Sequence, residues 1–221
     1  MCGRFVQVLS RVILNMLYRL EVKGDFVPRY NLAPSQYAWV LRTNPLNGNR
    51  EILPLQWGLV PAWVKDEDRV NKPINARVET VGQKPFFRNA FQRRRALIPA
   101  NGYYEWMKVN GKKQPYLIRR KDERPFSMAG LWERREKEGS IHDTFAILTT
   151  TAKLPVKEIH HRMPLILPEE IYNRWLDPGT PPGELQGLVH PFPVTDLIAY
   201  PVSPLVNKPV NDSPECIRPL E

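Results

Sequence analysis

Gly102-Tyr103-Tyr104-Glu105-Trp106-Met107-Lys108-Val109-Asn110-Gly111-Lys112-Lys113-Gln114-Pro115-Tyr116-Leu117-Ile118-Arg119 sets the reading of the whole chain. Residues 103–109 and 115–119 are rich in aromatic and branched side chains and predict two strands. Asn110-Gly111 lies between them, and both residue types tolerate positive φ, so the pair predicts a tight hairpin. Outward from it, short strands are predicted at 37–42, 52–59, 126–132, 145–150, 164–167 and 198–202. Two helices interrupt the pattern. One spans 10–20, capped by Ser10, with Val12, Ile13, Met16, Leu17 and Leu20 on one face. The other spans 168–176, with Pro168 at its first helical position, Ile171, Trp175 and Leu176 as its apolar face, and Pro178 as its stop. These elements predict an α+β fold with a mostly antiparallel β core, barrel-like or sandwich-like, and a few peripheral helices.

The 221 residues are 42% hydrophobic and 25% charged, enough for one sizeable core and unlike a disordered chain. The 23 prolines are spread along the chain and no linker or repeat stands out, so one domain over 1–221 is expected. Two cysteines make no disulfide framework, no signal peptide opens the chain, and no stretch is long enough to span a bilayer. The expectation is a cytoplasmic monomer without membrane contact. The net charge of +9 favours a polyanionic partner.

Met1-Cys2-Gly3-Arg4-Phe5 carries the chemistry. A small second residue permits removal of Met1, leaving Cys2 with a free α-amine beside its thiol. An α-amine has a pKa near 8, so about a tenth of it is neutral and nucleophilic at pH 7. Such an amine condenses with an aldehyde to an imine, and the thiolate then closes a five-membered thiazolidine. Taken alone, Cys2 reads more simply as a small buried residue opening a first strand, since free cysteine is usually buried and inert.

Three further segments hold polar groups suited to chemistry. Asn75-Ala76-Arg77-Val78-Glu79 places an amide that orients a reacting group next to a cation that holds phosphate; a turn leading into a solvated helix is the plainer reading. Glu105 sits among aromatics on the Tyr103 side of its strand, and partial burial would raise its pKa toward neutrality. Its plainer role is an ion pair with one of the many arginines. His160-His161-Arg162 offers one histidine as acid/base, the other being surface, and a second phosphate-binding arginine. Adjacent histidines on an extended segment point opposite ways, and no Cys or His spacing supports zinc, so no metal and no cofactor are expected. Among the basic clusters, 93–95 is the better nucleic-acid contact, while 134–137 alternates with glutamates as a solvated hairpin tip. Trp63 and Phe86-Phe87 suit base stacking or core packing.

Cys2-Gly3-Arg4-Phe5, residues 29–34, 56–61, 75–80, 98–106 and 128–132, and His160-His161-Arg162-Met163-Pro164 occur in the order shown by the SOS response-associated peptidase (SRAP) family, which the chain resembles from residue 2 to about residue 218. The resemblance implies a sensor and shield of abasic sites in single-stranded DNA, on a compact α+β fold with a basic groove, acting within the DNA damage response. It makes Cys2 the nucleophile, with Asn75 holding the Cys2 backbone and the sugar remnant. Glu105 would assist sugar ring opening and proton transfers at the amine, and His160 would act as acid/base. Arg4, Arg77 and Arg162 would contact the DNA backbone, and Thr149 would lie beside the site. The family name reflects self-cleavage that exposes Cys2. Two rival readings remain open: an N-terminal-nucleophile cysteine peptidase or amidase, which attacks an amide with the same thiol, and a non-covalent single-strand binder resting on charge and aromatics.

Overall fold

A computed structural model describes residues 2–66, 70–137, 139–189 and 196–220. In chain order its strands are β1 (Phe5–Gln7), β2 (Arg29–Leu32), β3 (Tyr37–Thr43), β4 (Arg50–Trp57), β5 (Asn75–Arg77), β6 (Arg95–Ala100), β7 (Gly102–Val109), β8 (Lys112–Arg120), β9 (Phe126–Lys137), β10 (Ser140–Thr151), β11 (Arg162–Pro164), β12 (Ile166–Leu167) and β13 (Leu197–Pro201). The α-helices are α1 (Arg11–Tyr18), α2 (Arg88–Arg93), α3 (Tyr172–Leu176) and α4 (Pro182–Leu188).

The hairpin forms as its turn residues require. Asn110 and Gly111 take φ of 49° and 80°, and β7 pairs with β8 from Val109↔Lys112 back to Tyr103↔Ile118. It sits inside a five-stranded sheet ordered β13-β8-β7-β1-β2. A second set of strands closes on itself. β4 pairs with β3, β3 with β6, β6 with β9 and β9 with β10, all antiparallel, and β10 returns to β4 in parallel. The result is an α+β fold around a five-strand barrel. Gly130 permits one of its close approaches: a Cβ there would lie 2.2 Å from Ile98 Cδ1 and 3.0 Å from the Ala146 carbonyl.

Strand alternation builds two cores from the same barrel wall. Ala96, Ile98, Phe145 and Ile147 join the core that holds Phe5, Tyr103 and Ile118 from the five-stranded sheet. Their chain neighbours Leu97, Ala146 and Leu148 join the core covered by the helices, with Leu14, Tyr18, Phe91 and Trp175. Each fully buried large aliphatic or aromatic side chain stabilises the fold by about 1.5–3 kcal/mol.

The structure corrects several local expectations. The first helix stops at Tyr18, because Arg19 turns left-handed at φ 53° and closes it; the Ser10 cap stands, its Oγ accepting from Ile13 N–H at 3.3 Å. Leu14 and Tyr18 are buried and the expected Ile13, Leu17 and Leu20 pack against the same core, whereas Val12 and Met16 are 67% and 76% exposed. Arg11 and Asn15 mark the polar side of the helix, and its wide apolar side is only partly covered by the core. Pro168 is extended and precedes the helical turns of 169–171 rather than opening them. The 164–167 strand is split at Leu165 into β11 and β12.

Two basic clusters also read differently in three dimensions. Arg95 is no nucleic-acid contact. Its guanidinium donates to the carbonyls of Trp175 (2.6 Å), Phe91 (2.9 Å), Gln92 (2.5 Å) and Asp177, which ties α2 and α3 to the barrel. The segment after Trp132 is not simply a solvated tip. Glu133 is buried and pairs with Arg94 at 2.7 Å, Arg134 is bidentate on Asp143, and the buried Arg135 donates to the Val64 carbonyl. Alternation on a twisted pair of long strands puts every second charge on the inner side.

Candidate active site at the amino terminus

β1 begins three residues after Cys2, and its pairing decides where Cys2 lies. Phe5 stands opposite Tyr103 and Val6 opposite Gly102, and Tyr104 N–H donates to the Arg4 carbonyl at 2.9 Å. That antiparallel register runs the chain's beginning back along Glu105. Cys2 is fully buried, in the core shared with Phe5 and Tyr103. Burial pushes its thiol far above the ordinary range and the Glu105 charge adds to this; the positive amino end and the Arg4 backbone N–H pull the other way.

Asn75 reaches Cys2 from the barrel side. β5 lies parallel to β10, with Asn75 opposite Ile147 and Arg77 opposite Thr149. Asn75 Nδ2 donates to the Cys2 carbonyl at 2.9 Å, while its Oδ1 is buried without a hydrogen-bond partner. The loop predicted here is thus a short strand, and the strand is what aims the amide.

Glu105 stands opposite Tyr116 in the hairpin and is 2% exposed. Burial raises its carboxyl to about 7, against the lowering effect of the positive amino end. His160 Nδ1 lies 3.9 Å from Glu105 Oε1. Arg162 N–H donates to that nitrogen at 3.0 Å when the neutral ring carries its proton on Nε2. The Arg162 carbonyl, 3.1 Å away, is the acceptor for Nδ1 once it is protonated. Burial is the main cause of a lowered His160 pKa; the neighbouring positive charges add to it and the Arg162 backbone contact opposes it. An acid raised toward 7 therefore adjoins a base lowered below its usual 6.5, the arrangement that lets protons move near neutrality. Glu105 and His160 line a cleft of about 370 Å³ with Trp106, Lys113 and Asn207. Trp106 Nε1 donates to Asn207 Oδ1 at 2.7 Å.

The two histidines do not point apart. Their rings stack at 4.4 Å with 29° between planes, because the segment follows a helical turn at Val156–Glu158 rather than an extended strand. His161 is the exposed one. Among the described residues no group of three or more His, Cys, Asp or Glu is placed to hold a metal ion.

The structure thus brings Cys2, Asn75, Glu105 and His160 together, and the β5–β10–β11 ladder sets Arg77 opposite Thr149 and Arg162 opposite Thr151. Thr149 is buried, with its Oγ1 donating to the Ala76 carbonyl at 3.4 Å. Arg162 is bidentate on Glu79 at 2.7 and 2.9 Å and also donates to the Thr149 carbonyl. Arg4 donates to Asn31 Oδ1 and the Val206 carbonyl, both at 2.8 Å. Arg77 is exposed and has no ion pair among the described residues. Trp63 is 63% exposed, edge-on to Phe86 at 5.9 Å. Sequence reasoning missed Asn207 as a cleft residue: it meets Trp106 across 101 positions, and no local pattern marks it.

Fold and site together define an α+β barrel protein that gathers an acid, a base and an amide around the second residue of its chain. Comparison with known proteins gives this class its family. The SOS response associated peptidase (SRAP) family profile matches residues 1–209, and the chain belongs to that family. It is 40% identical to the abasic site processing protein YoqW of Bacillus subtilis (strain 168) over 224 residues, 99% of each chain. It is 31% identical to the abasic site processing protein YedK of Escherichia coli (strain K12) over 230 residues, the whole of both. A crystal structure of a protein from Bacteroides thetaiotaomicron superimposes with a TM-score of 0.83 at 30% identity, covering 98% of this chain and all of the other.

Proposed function

We propose that the mature chain starts at Cys2 and that its aminothiol traps the aldehyde of an abasic site in single-stranded DNA as a thiazolidine, which shields the lesion. The observation that carries this reading is the Asn75 hydrogen bond to the Cys2 carbonyl. It holds Cys2 by its carbonyl alone, so loss of Met1 would free the Cys2 amine while the residue stays anchored beside Glu105 and His160. The names of YoqW and YedK supply the substrate class.

Removal of Met1 makes the Cys2 amine the chain's end, next to the Glu105–His160 cleft. Arg77, exposed and unpaired, is the foremost phosphate contact, with Arg4 and Arg162 behind it and Trp63 offering a ring to a base. A single strand presents the abasic sugar without duplex opening. His160 and Glu105 move protons as the cyclic sugar opens to its aldehyde. The neutral amine attacks the carbonyl carbon, and protonated Glu105 gives its proton to the departing water. The thiolate then adds to the imine carbon: a C–S bond forms, the C=N π pair moves to nitrogen, and nitrogen takes a proton. The net change is loss of one water. Positioning supplies much of the acceleration, because both nucleophiles are carried on adjacent carbons of one residue.

The test incubates the protein with a single-stranded oligonucleotide carrying one abasic site. A denaturing gel should show a slow band, and intact mass should equal protein from Cys2 plus oligonucleotide minus water. Cys2→Ala protein should give neither. A crosslink of equal yield from Cys2→Ala, or Cys2-dependent cleavage of amides with no effect of DNA, overturns the reading.

A further inference from the structure

Tyr103 is a buried hydroxyl that the scheme above does not use. Its ring packs edge-on to Phe126 at 6.5 Å, and the residue is completely buried. Its hydroxyl oxygen has no hydrogen-bond partner, which is uncommon for a buried phenol. Phenylalanine would fill the same space without leaving a polar group stranded. The strand geometry says where the hydroxyl points. Tyr103 and Glu105 are two apart on β7 and share one face, and Tyr103 is the residue that pairs with Phe5 and so faces the run into Cys2. Cys2 and Tyr103 belong to the same core.

Resting on the crosslinking reading, we propose that the Tyr103 hydroxyl is the hydrogen-bond donor that holds the Cys2 thiolate while the thiazolidine closes. Before the thiol loses its proton, the hydroxyl has nothing charged to bind. Once the sulfur is negative, a turn of the Cys2 side chain within their shared core brings it to a donor that is already desolvated and unpaired. The hydroxyl keeps its own proton throughout, since burial, then the charges of Cys2 and Glu105, hold the phenol well above its ordinary range. The charged and titratable groups around the sulfur are Glu105 on β7, with His160 beyond it at 3.9 Å, and the chain's amine. Tyr103 is the neutral donor among them.

Tyr103→Phe removes the hydroxyl and keeps the ring. In a Cys216→Ala background, the rate of Cys2 alkylation by iodoacetamide against pH, followed by intact mass, reports ionisation of its thiol without any DNA. Tyr103→Phe should move that titration upward by about one unit, a tenfold loss of thiolate at a given pH, with the melting temperature unchanged or raised. With abasic oligonucleotide, borohydride-trappable imine should form at the unaltered rate and accumulate, while ring closure slows roughly tenfold. An identical thiolate titration in the two proteins overturns the proposal, as does an unchanged partition between imine and ring. Failure of the Tyr103 protein itself to crosslink rejects the crosslinking reading instead, and the titration still decides whether Tyr103 binds the thiolate.

Discussion

Arg95 and Glu105 are charged residues with the same 2% exposure, and their surroundings are built in opposite ways. The Arg95 guanidinium meets four backbone carbonyls and the face of Trp175 at 5.8 Å. Burial lowers its pKa only to about 10, so it keeps its charge at neutral pH. Around Glu105 the neighbouring groups are left incomplete: Asn75 Oδ1 and the Tyr103 hydroxyl are buried without partners, and Glu105 itself is shifted to titrate near 7. A finished polar nest holds helices to a barrel. An unfinished one leaves buried polar atoms unpaired, at a cost in stability.

Mutations that exchange these roles test the contrast. The largest effect is expected from Arg95→Ala, which strands four carbonyls at the ends of α2 and α3. It should lower unfolding free energy by about 4 kcal/mol in urea titrations, with the crosslinking rate of the remaining folded protein unchanged. A loss under about 1 kcal/mol would mean the nest is no more structural than the site.

Glu105→Gln should behave in reverse. Crosslinking should fall by about a hundredfold or more, measured under single-turnover conditions. Stability should rise, and only at higher pH. Below the unfolded carboxyl value of 4.5 both states are protonated and the substitution is nearly neutral. Between 4.5 and about 7 the unfolded chain ionises while the folded carboxyl does not, so wild type loses stability as pH climbs. Above about 7 the variant should lead by up to about 3 kcal/mol. A variant no more stable at high pH than at low pH would contradict the raised carboxyl.

Asn75→Ala deletes the bond to the Cys2 carbonyl along with an unpaired acceptor. These nearly cancel in stability, within about 1 kcal/mol, but crosslinking should slow about tenfold as the first residue loses its anchor. Restored wild-type rates would show that β1 pairing alone positions Cys2. Arg77→Ala is the mildest. Melting should be unchanged within about 0.5 kcal/mol, and the slope of log affinity against log salt on single strands should shrink by about 0.7. An unaltered slope removes Arg77 from the phosphate path.

Local chemistry in the sequence was enough for the hairpin, the Ser10 cap, the central strands and the raised Glu105. Each depends on residues adjacent in the chain or on simple alternation. The barrel closure was not legible, because the partners of β10 are chosen by long-range packing: β4 and β5 in parallel, β9 and β11 antiparallel. Strands β2, β5 and β6 were missed for the same reason. Arg95 misled because a basic run between apolar residues looks alike whether carbonyls or phosphates receive it. The histidine pair misled because the turn preceding it carries no strong local mark. The four central site residues were named in advance, yet only the fold supplies the contacts among them.

The walls around Cys2 come from far downstream. Its carbonyl is held from position 75, its strand pairs at 102 and 103, and Arg4 is fastened at position 206. A ribosome releases the first residues well before it has translated any of these. On the reading proposed above, trimming of the leading methionine would have a window during synthesis, which narrows as the later strands emerge and dock over Cys2.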